Sequence, residues 1–542
     1  MTQVIRRASL IAIIMVCLFL DASIVPAMGQ APVQSYTYNM TFDHDGLTMV
    51  EVLYDSGFVG SGSSWIAVPK NLIAETTVVA LKGVISSVVR LPYLTGQEPL
   101  AHPFYDNLTF TYASDSDPFS MDLRFNMTNG AMIVEPNGFF YSPQIGVPSS
   151  AKVQAKLTFP DGVESLDEVQ PAPTKVETNG SPASLLFNLE PESRIAVTFT
   201  VSWIQQTSHI QEAQVSADVP SRYLDLGTKI VELYKKAMPL MNDLFNGTVN
   251  QISMRFFTPS SLPELSIGGY TPIDPSSFQT GAIYLNLFYF RAVSGTMETI
   301  ALHELTHQYE THGGISPNLL WVQEGLANYV AVQMGRSLDY DVTSTDADLE
   351  SAVSGLAGNY GMIQYWRPGG TAGSLFQYYA ASYKIFKTLG NEYGGLSLYS
   401  RFFAHVHELN DALASTNVAI YELGLSAHSD LSPQFTEWGF ELVNLSNIAV
   451  RISKLRAEAG FLGPLLPFRE QALSHLELAQ NSMYSAPEAA VAHITIAAFY
   501  IETVPMIIAG VVLVLILLVA LATVLRRRSK RKRVELDNQL RY

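Results

Sequence analysis

Residues 303–307 read His-Glu-Leu-Thr-His, and no other stretch restricts the chain so tightly. Side chains four residues apart share one face of an α-helix, so two histidines with this spacing can offer two imidazole nitrogens to one metal ion. Glu304 then stands beside that ion, where a carboxylate can handle protons. The surrounding sequence suits a helix. Thr296 is placed to cap it, Glu298 falls in its first turn, and Ile300, Ala301 and Leu302 give it an apolar side. The plainer reading, two partly buried histidines one turn apart, is weakened only by finding a third ligand.

A catalytic zinc site takes three protein ligands and keeps a fourth position open. A third histidine six residues after His307, the metzincin arrangement, is ruled out because that place holds Gly313 and His312 is one residue out of register. Downstream lies "NLLWVQEGLANYVAVQMG", apolar and helix-prone, with one carboxylate, Glu324, among Trp321, Val322, Leu326 and Ala327. A charge in such surroundings costs free energy unless it is paired or bound to a cation. Glu324 is therefore expected to be the third ligand rather than a solvated surface residue.

HELTH followed by LLWVQEGLANY resembles the gluzincin metallopeptidases, and among them the membrane alanyl aminopeptidase family and its peptidase-like relatives, which carry H-E-x-x-H and then W-x-x-E-G-x-A. The resemblance implies that His303, His307 and Glu324 bind one Zn2+ per chain and that Glu304 is the general base. Sixteen residues, 308–323, separate the second histidine from Glu324, where that family has eighteen; Gly313, Gly314 and Pro317 supply the bend. The family donates to the oxyanion from a Tyr in a Y-x-x-G run. "QYYAASYK" offers Tyr378 and Tyr379, of which Tyr379 is preferred, with Ser382 in place of the glycine. The family's G-x-M-E-N loop, whose glutamate holds the substrate amine, has no counterpart in "GAIYLN", so Glu264 or another carboxylate would have to serve. Aminopeptidase and endopeptidase readings both stay open.

The pattern before this site is different. From about 34 to 203, runs such as "SYTYNMTF", "MVEVLY", "AKVQAKLTF" and "RIAVTFTVSW" alternate apolar and polar residues between turn clusters, which is the mark of strands. The expected fold is α+β: a β-sandwich or saddle-like N-terminal domain (30–205), a thermolysin-like zinc metallopeptidase domain (215–447), a helical stalk (448–503) broken by "FLGPLLP", and one C-terminal transmembrane helix. The strand runs "NQISMRFFTP" and "GAIYLNLFYF" precede the metal motif, and residues 281–286 are expected to form the sheet edge that holds an extended peptide.

Residues 504–525 carry no charge for twenty-two positions, enough to span a bilayer. "RRRSKRKR" follows at once, so the tail (526–542) is expected on the cytoplasmic side and the bulk of the chain outside the cell. Residues 1–29, with Arg6, Arg7 and an apolar core, read as a cleaved signal peptide, with an uncleaved anchor as the alternative. The overall charge of −16 hides a division: +6 after Leu525 and +1 before residue 30 leave −23 between them. So acidic an ectodomain disfavours nucleic acid as a partner. The one cysteine, Cys17, lies in the signal core, so no disulfide is expected. Six sequons, at Asn39, Asn107, Asn126, Asn179, Asn246 and Asn444, are close to what chance supplies. The expected partners are a peptide or protein substrate and the membrane, and nothing in the sequence sets the oligomeric state. The rival to catalysis is an inactive peptidase-like surface protein serving as a binding or structural module, which would have had no need to keep Glu304.

Overall fold

The computed structural model describes residues 33–94, 101–177, 183–370, 373–409, 411–462, 468–483 and 486–539. The expected signal peptide, the sequon at Asn179 and most of the "FLGPLLP" break lie outside the described residues.

Alternation builds the first half. Ser35–Phe42 buries Tyr36, Tyr38, Met40 and Phe42 and turns its other side chains outward. Asp43 closes the turn to the antiparallel Thr48–Asp55 strand by accepting from the backbone of Asp45 and Leu47. These strands belong to a seven-stranded sheet that also takes in Lys152–Thr158, paired parallel to Ser35–Phe42. A three-stranded sheet of Gly60–Pro69, Ala101–Ser114 and Val84–Leu94 packs on it, with the Tyr54 and Phe110 rings 5.0 Å apart. A four-stranded sheet of Val163–Gln170, Ala196–Val201, Asn137–Tyr141 and Ala131–Val134 completes the core, where Phe42 meets Phe199 at 5.4 Å.

The four-stranded sheet also faces the second half of the chain. Met132 and Phe139 join the core of the later helices, whereas Ile133 and Phe140 stay in the first core. Polar bonds fix this junction. Tyr223 Oη takes the Ile133 amide at 3.0 Å, Arg222 is buried against Glu135 and donates to the His44 carbonyl, and Arg291 donates to the Tyr141 carbonyl at 2.7 Å.

A five-stranded sheet opens the second half, in the order Thr207–Glu212, Val215–Pro220, Ile252–Phe257, Ile283–Asn286, Gly269–Tyr270. Its middle three strands are parallel and both outer strands antiparallel. The expected edge at 281–286 is corrected: Ile283–Asn286 is an inner strand, and the edge beside the metal motif is Gly269–Tyr270, with Tyr270 opposite Tyr284. The "SIGGY" segment read as loop because glycine is a poor strand former. Glycine is required there, since a Cβ on Gly268 would fall 2.9 Å from Ile300 and one on Gly269 would fall 2.8 Å from Glu304 Cγ.

Helices Leu224–Phe245, Thr296–His312, Leu320–Ser337 and Leu375–Tyr393 pack behind this sheet. Thr296 is not the cap it was expected to be: it is the first helical residue, and Gly295, at φ 88°, takes the cap position against the Asp341 carbonyl, where no Cβ fits. Trp321, fully buried, stacks among Phe386, Phe435 and Phe440 and donates to Thr416 Oγ1 at 3.0 Å.

Among the described residues of 445–503, the α-helices Leu445–Leu462, Arg469–Ser482 and Pro487–Ala498 fold back on one another around Leu455, Ala459, Ala472, Leu476, Ala490 and Ile494. Asn417 ties this bundle to the preceding helices through Glu488 at 2.9 Å. A final helix, Val504–Gln539, leaves its apolar side chains outside the core, Met506 and Val519 among them, and is long and apolar enough to cross a membrane.

Gly325 gives a direct test of how tightly the Leu320–Ser337 and Leu375–Tyr393 helices must approach. A Cβ there would lie 2.7 Å from Phe386 Cδ2 and 2.8 Å from the Ser382 backbone carbon. Gly325→Ala is expected to lower stability by about 1–3 kcal/mol in thermal or denaturant unfolding; an unchanged midpoint would contradict this packing.

Candidate metal centre

The Thr296–His312 helix carries His303, Glu304 and His307, and the Leu320–Ser337 helix brings Glu324 up to them. The two imidazoles stand edge to face, with ring centres 4.6 Å apart. His303 Nε2 and His307 Nε2 are 3.0 Å apart, and Glu324 Oε2 lies 3.2 Å from the first and 3.5 Å from the second. Donor atoms of these three residues all fall within 4.8 Å of one another.

The outer nitrogens show what these atoms are for. His307 Nδ1 is 2.8 Å from Glu310 Oε2, which as a carboxylate oxygen can only accept. His303 Nδ1 is 3.1 Å from Asn328 Oδ1, and the Asn328 amide is oriented by its Nδ2 donating to the Glu324 carbonyl at 2.8 Å. In their neutral form both rings therefore keep a proton on Nδ1 and turn a lone pair inward from Nε2. Glu324 Oε2 is buried beside them without a hydrogen-bond partner. Three electron pairs aimed at one point favour positive charge between them, whether a proton or a metal ion. Two neutral imidazoles and a carboxylate are a donor set that fits Zn2+.

The electrostatics agree. Burial opposes the charged form of His307, yet the carboxylates of Glu324 and Glu310 outweigh it and raise its pKa well above the usual histidine range. Burial also opposes ionisation of Glu324, but the two histidines prevail and hold its carboxyl at about 2. Burial pushes Glu310 up to about 7.

Glu304 sits beside this cluster and is buried. Its Oε2 accepts from Thr271 Oγ1 at 3.0 Å, and the edge strand closes over it at Gly269. Burial raises its pKa, against the pull of His303 and His307. Tyr379, on the Leu375–Tyr393 helix, has its ring 6.5 Å from that of His303 and 5.1 Å from that of Trp366. Burial and then the charges of Glu324 and Glu304 raise its pKa, so the phenol keeps its proton. Tyr378 is the more buried neighbour and packs on Trp366 at 5.4 Å.

The structure thus brings His303, Glu304, His307, Glu324 and Tyr379 together. Glu264 is engaged elsewhere, its carboxylate accepting from Ser260 N at 2.8 Å and Ser260 Oγ at 3.0 Å. Thr271, Glu310 and Asn328 were missed from the sequence. Glu310 and Asn328 follow a ligand by three and four residues, so helical spacing alone could have found them.

No protein-family model matches the chain, and no curated protein matches it. Among solved structures 151 chains match. One is Legionella pneumophila aminopeptidase A in complex with aspartic acid, at 16% identity and a TM-score of 0.30, over 76% of this chain and 49% of that one. The chain spans about half the length of that protein.

These charges contribute a pH response of their own to the metal-free protein. His307, Glu304 and Glu310 hold protons more tightly folded than unfolded, so their contribution to stability is present at low pH and is lost as pH rises through their folded pKa values. Glu324 acts in the opposite sense, losing stability only as pH falls from its unfolded value of 4.5 toward about 2. From about pH 5 upward, through the Glu310 value of about 7, these groups are expected to make the metal-free protein less stable as pH rises, and zinc to remove that contribution. Thermal unfolding with and without a chelator checks it; a metal-free midpoint that climbs over this range would contradict it.

Proposed function

We propose that the protein is a membrane-anchored, extracellular zinc metallopeptidase. The observation that carries this reading is the convergence of His303 Nε2, His307 Nε2 and Glu324 Oε2, with Glu304 directly alongside. His303, His307 and Glu324 hold the metal. When bound, zinc supplies Lewis acidity, polarising a carbonyl and activating water.

The other residues divide the remaining work. Glu304, desolvated and held by Thr271, takes a proton from the attacking water and returns it to the leaving amine. Tyr379, which keeps its phenolic proton, donates to the carbonyl oxygen as negative charge develops on it. The Gly269–Tyr270 edge strand has an open side on which an extended peptide can pair by main-chain hydrogen bonds. Glu264 is held by Ser260, so an amine-binding carboxylate would come from elsewhere, and aminopeptidase and endopeptidase cleavage both stay open in this reading.

The anchor reading rests on Val504–Gln539 and on the Arg/Lys run after Leu525, which favours a cytoplasmic tail. Protease added outside intact cells is expected to degrade the metal-site region and spare the tail. A digested tail with a protected metal-site region would reverse the orientation.

Glu304→Gln tests the chemistry. It keeps the three ligands and the local volume, so zinc should stay bound while peptide hydrolysis falls by about 10²–10⁴-fold. Glu324→Gln replaces a charged ligand by a neutral one and should lose zinc itself. Equal zinc loss in both variants would falsify this division of roles, and undiminished hydrolysis in Glu304→Gln would remove the site from the reaction.

A further inference from the structure

The two histidines are supported unequally. His303 rests on Asn328, a neutral amide that is also tied to the backbone of the neighbouring helix. His307 rests on Glu310, a carboxylate with no exposed surface at all, whose second oxygen, Oε1, has no hydrogen-bond partner. A buried carboxylate with one idle oxygen is an expensive way to hold a ring, because an amide could make the same bond without the desolvation cost. Its charge becomes useful if the far side of the imidazole faces a cation. A carboxylate accepting from Nδ1–H pushes electron density through the ring and makes Nε2 a stronger donor.

We infer that Glu310 is a positioning residue for metal binding: it fixes the Nδ1–H form of His307 and, by its charge, strengthens His307 Nε2 as a ligand, a part that Asn328 plays for His303 through orientation alone. The inference rests on the metal-site reading given above, and goes beyond it in assigning the carboxylate behind His307 to the metal rather than to the fold. Glu310 lies three residues after His307 on the same helix, so the pair forms within the Thr296–His312 helix and needs no other element to align it. The charge balance fits. Glu304, Glu310 and Glu324 place three carboxyl groups around two imidazoles in a buried space, an arrangement that favours positive charge among them.

The test uses the whole chain in detergent, with zinc affinity from competition against a chelator and the visible absorption of the Co2+-loaded protein as a report on ligand geometry. Glu310→Leu removes both the acceptor and the charge and should weaken zinc by about 10–100-fold. Glu310→Gln keeps an acceptor oxygen for Nδ1–H but not the charge, so it should fall between Glu310→Leu and the native protein and retain a tetrahedral Co2+ spectrum. A role confined to folding would move the unfolding midpoint of the metal-free chain and leave zinc affinity alone. Affinity within about two-fold of native in both variants would therefore overturn the inference. If Glu310→Leu does not fold, Glu310→Gln alone decides between the two. The peptidase reading is judged separately. A native protein that binds zinc tightly but cleaves no peptide removes that reading and leaves the role of Glu310 standing, whereas a native protein that binds no divalent cation removes both.

Discussion

Inside the second half of the chain, two imidazole lone pairs and a carboxylate oxygen are held against one another across little more than 3 Å. Left to themselves these groups repel, so the surrounding structure must hold them in place. The Leu320–Ser337 helix is pinned by Trp321 at one end and by the close seat of Gly325 against Ser382 and Phe386 on the other side. The Thr296–His312 helix is stitched to the loop before it by Gln308, which donates to the Gly281 carbonyl and accepts from Thr280. Neither helix is free to shift away, so the repulsion is relieved by positive charge taken up between these groups, as the raised pKa of His307 reflects.

The same constraint accounts for how much could be read in advance. The three proposed ligands and Glu304 were legible because the requirement that would create them is local: a four-residue spacing on one helix, and one acid where a helix is otherwise apolar. Tyr379 was preferred to Tyr378 without a chemical ground, since adjacent helical residues differ in facing direction and not in chemistry; its ring is the one placed 6.5 Å from that of His303. The edge strand was misread because Gly268 and Gly269 answer to Ile300 and Glu304, residues some thirty positions away, and no local preference reveals a close approach of that kind. Thr271 was hidden for the same reason.

In the first half, alternation gave strands without saying which sheet each would join. Ala131–Val134 and Asn137–Tyr141 show why. Their sheet has a core on either side, so Met132 and Ile133 are both fully buried and the two-residue rhythm disappears. A sheet buried on both faces reads as a short apolar run. It is also the element through which the two halves communicate: Tyr223, Arg222 and Arg291, all from the second half, bond to it or to its flanks. Arg291 lies five residues after the Ile283–Asn286 strand, so its bond to the Tyr141 carbonyl fastens that end of the sheet to the first half of the chain.

The folded-back bundle at 445–503 changes what an anchored chain could reach. Drawn out as one continuous helix, those fifty-nine residues would extend roughly 88 Å at 1.5 Å per residue. The longest of the three helices has 18 residues, about 27 Å. For a chain held by Val504–Leu525, this is the difference between a long boom and a short leash: the metal centre would patrol a shell close above the lipid, within range of loops and tails of its membrane neighbours, and freely diffusing molecules would have to come down to it.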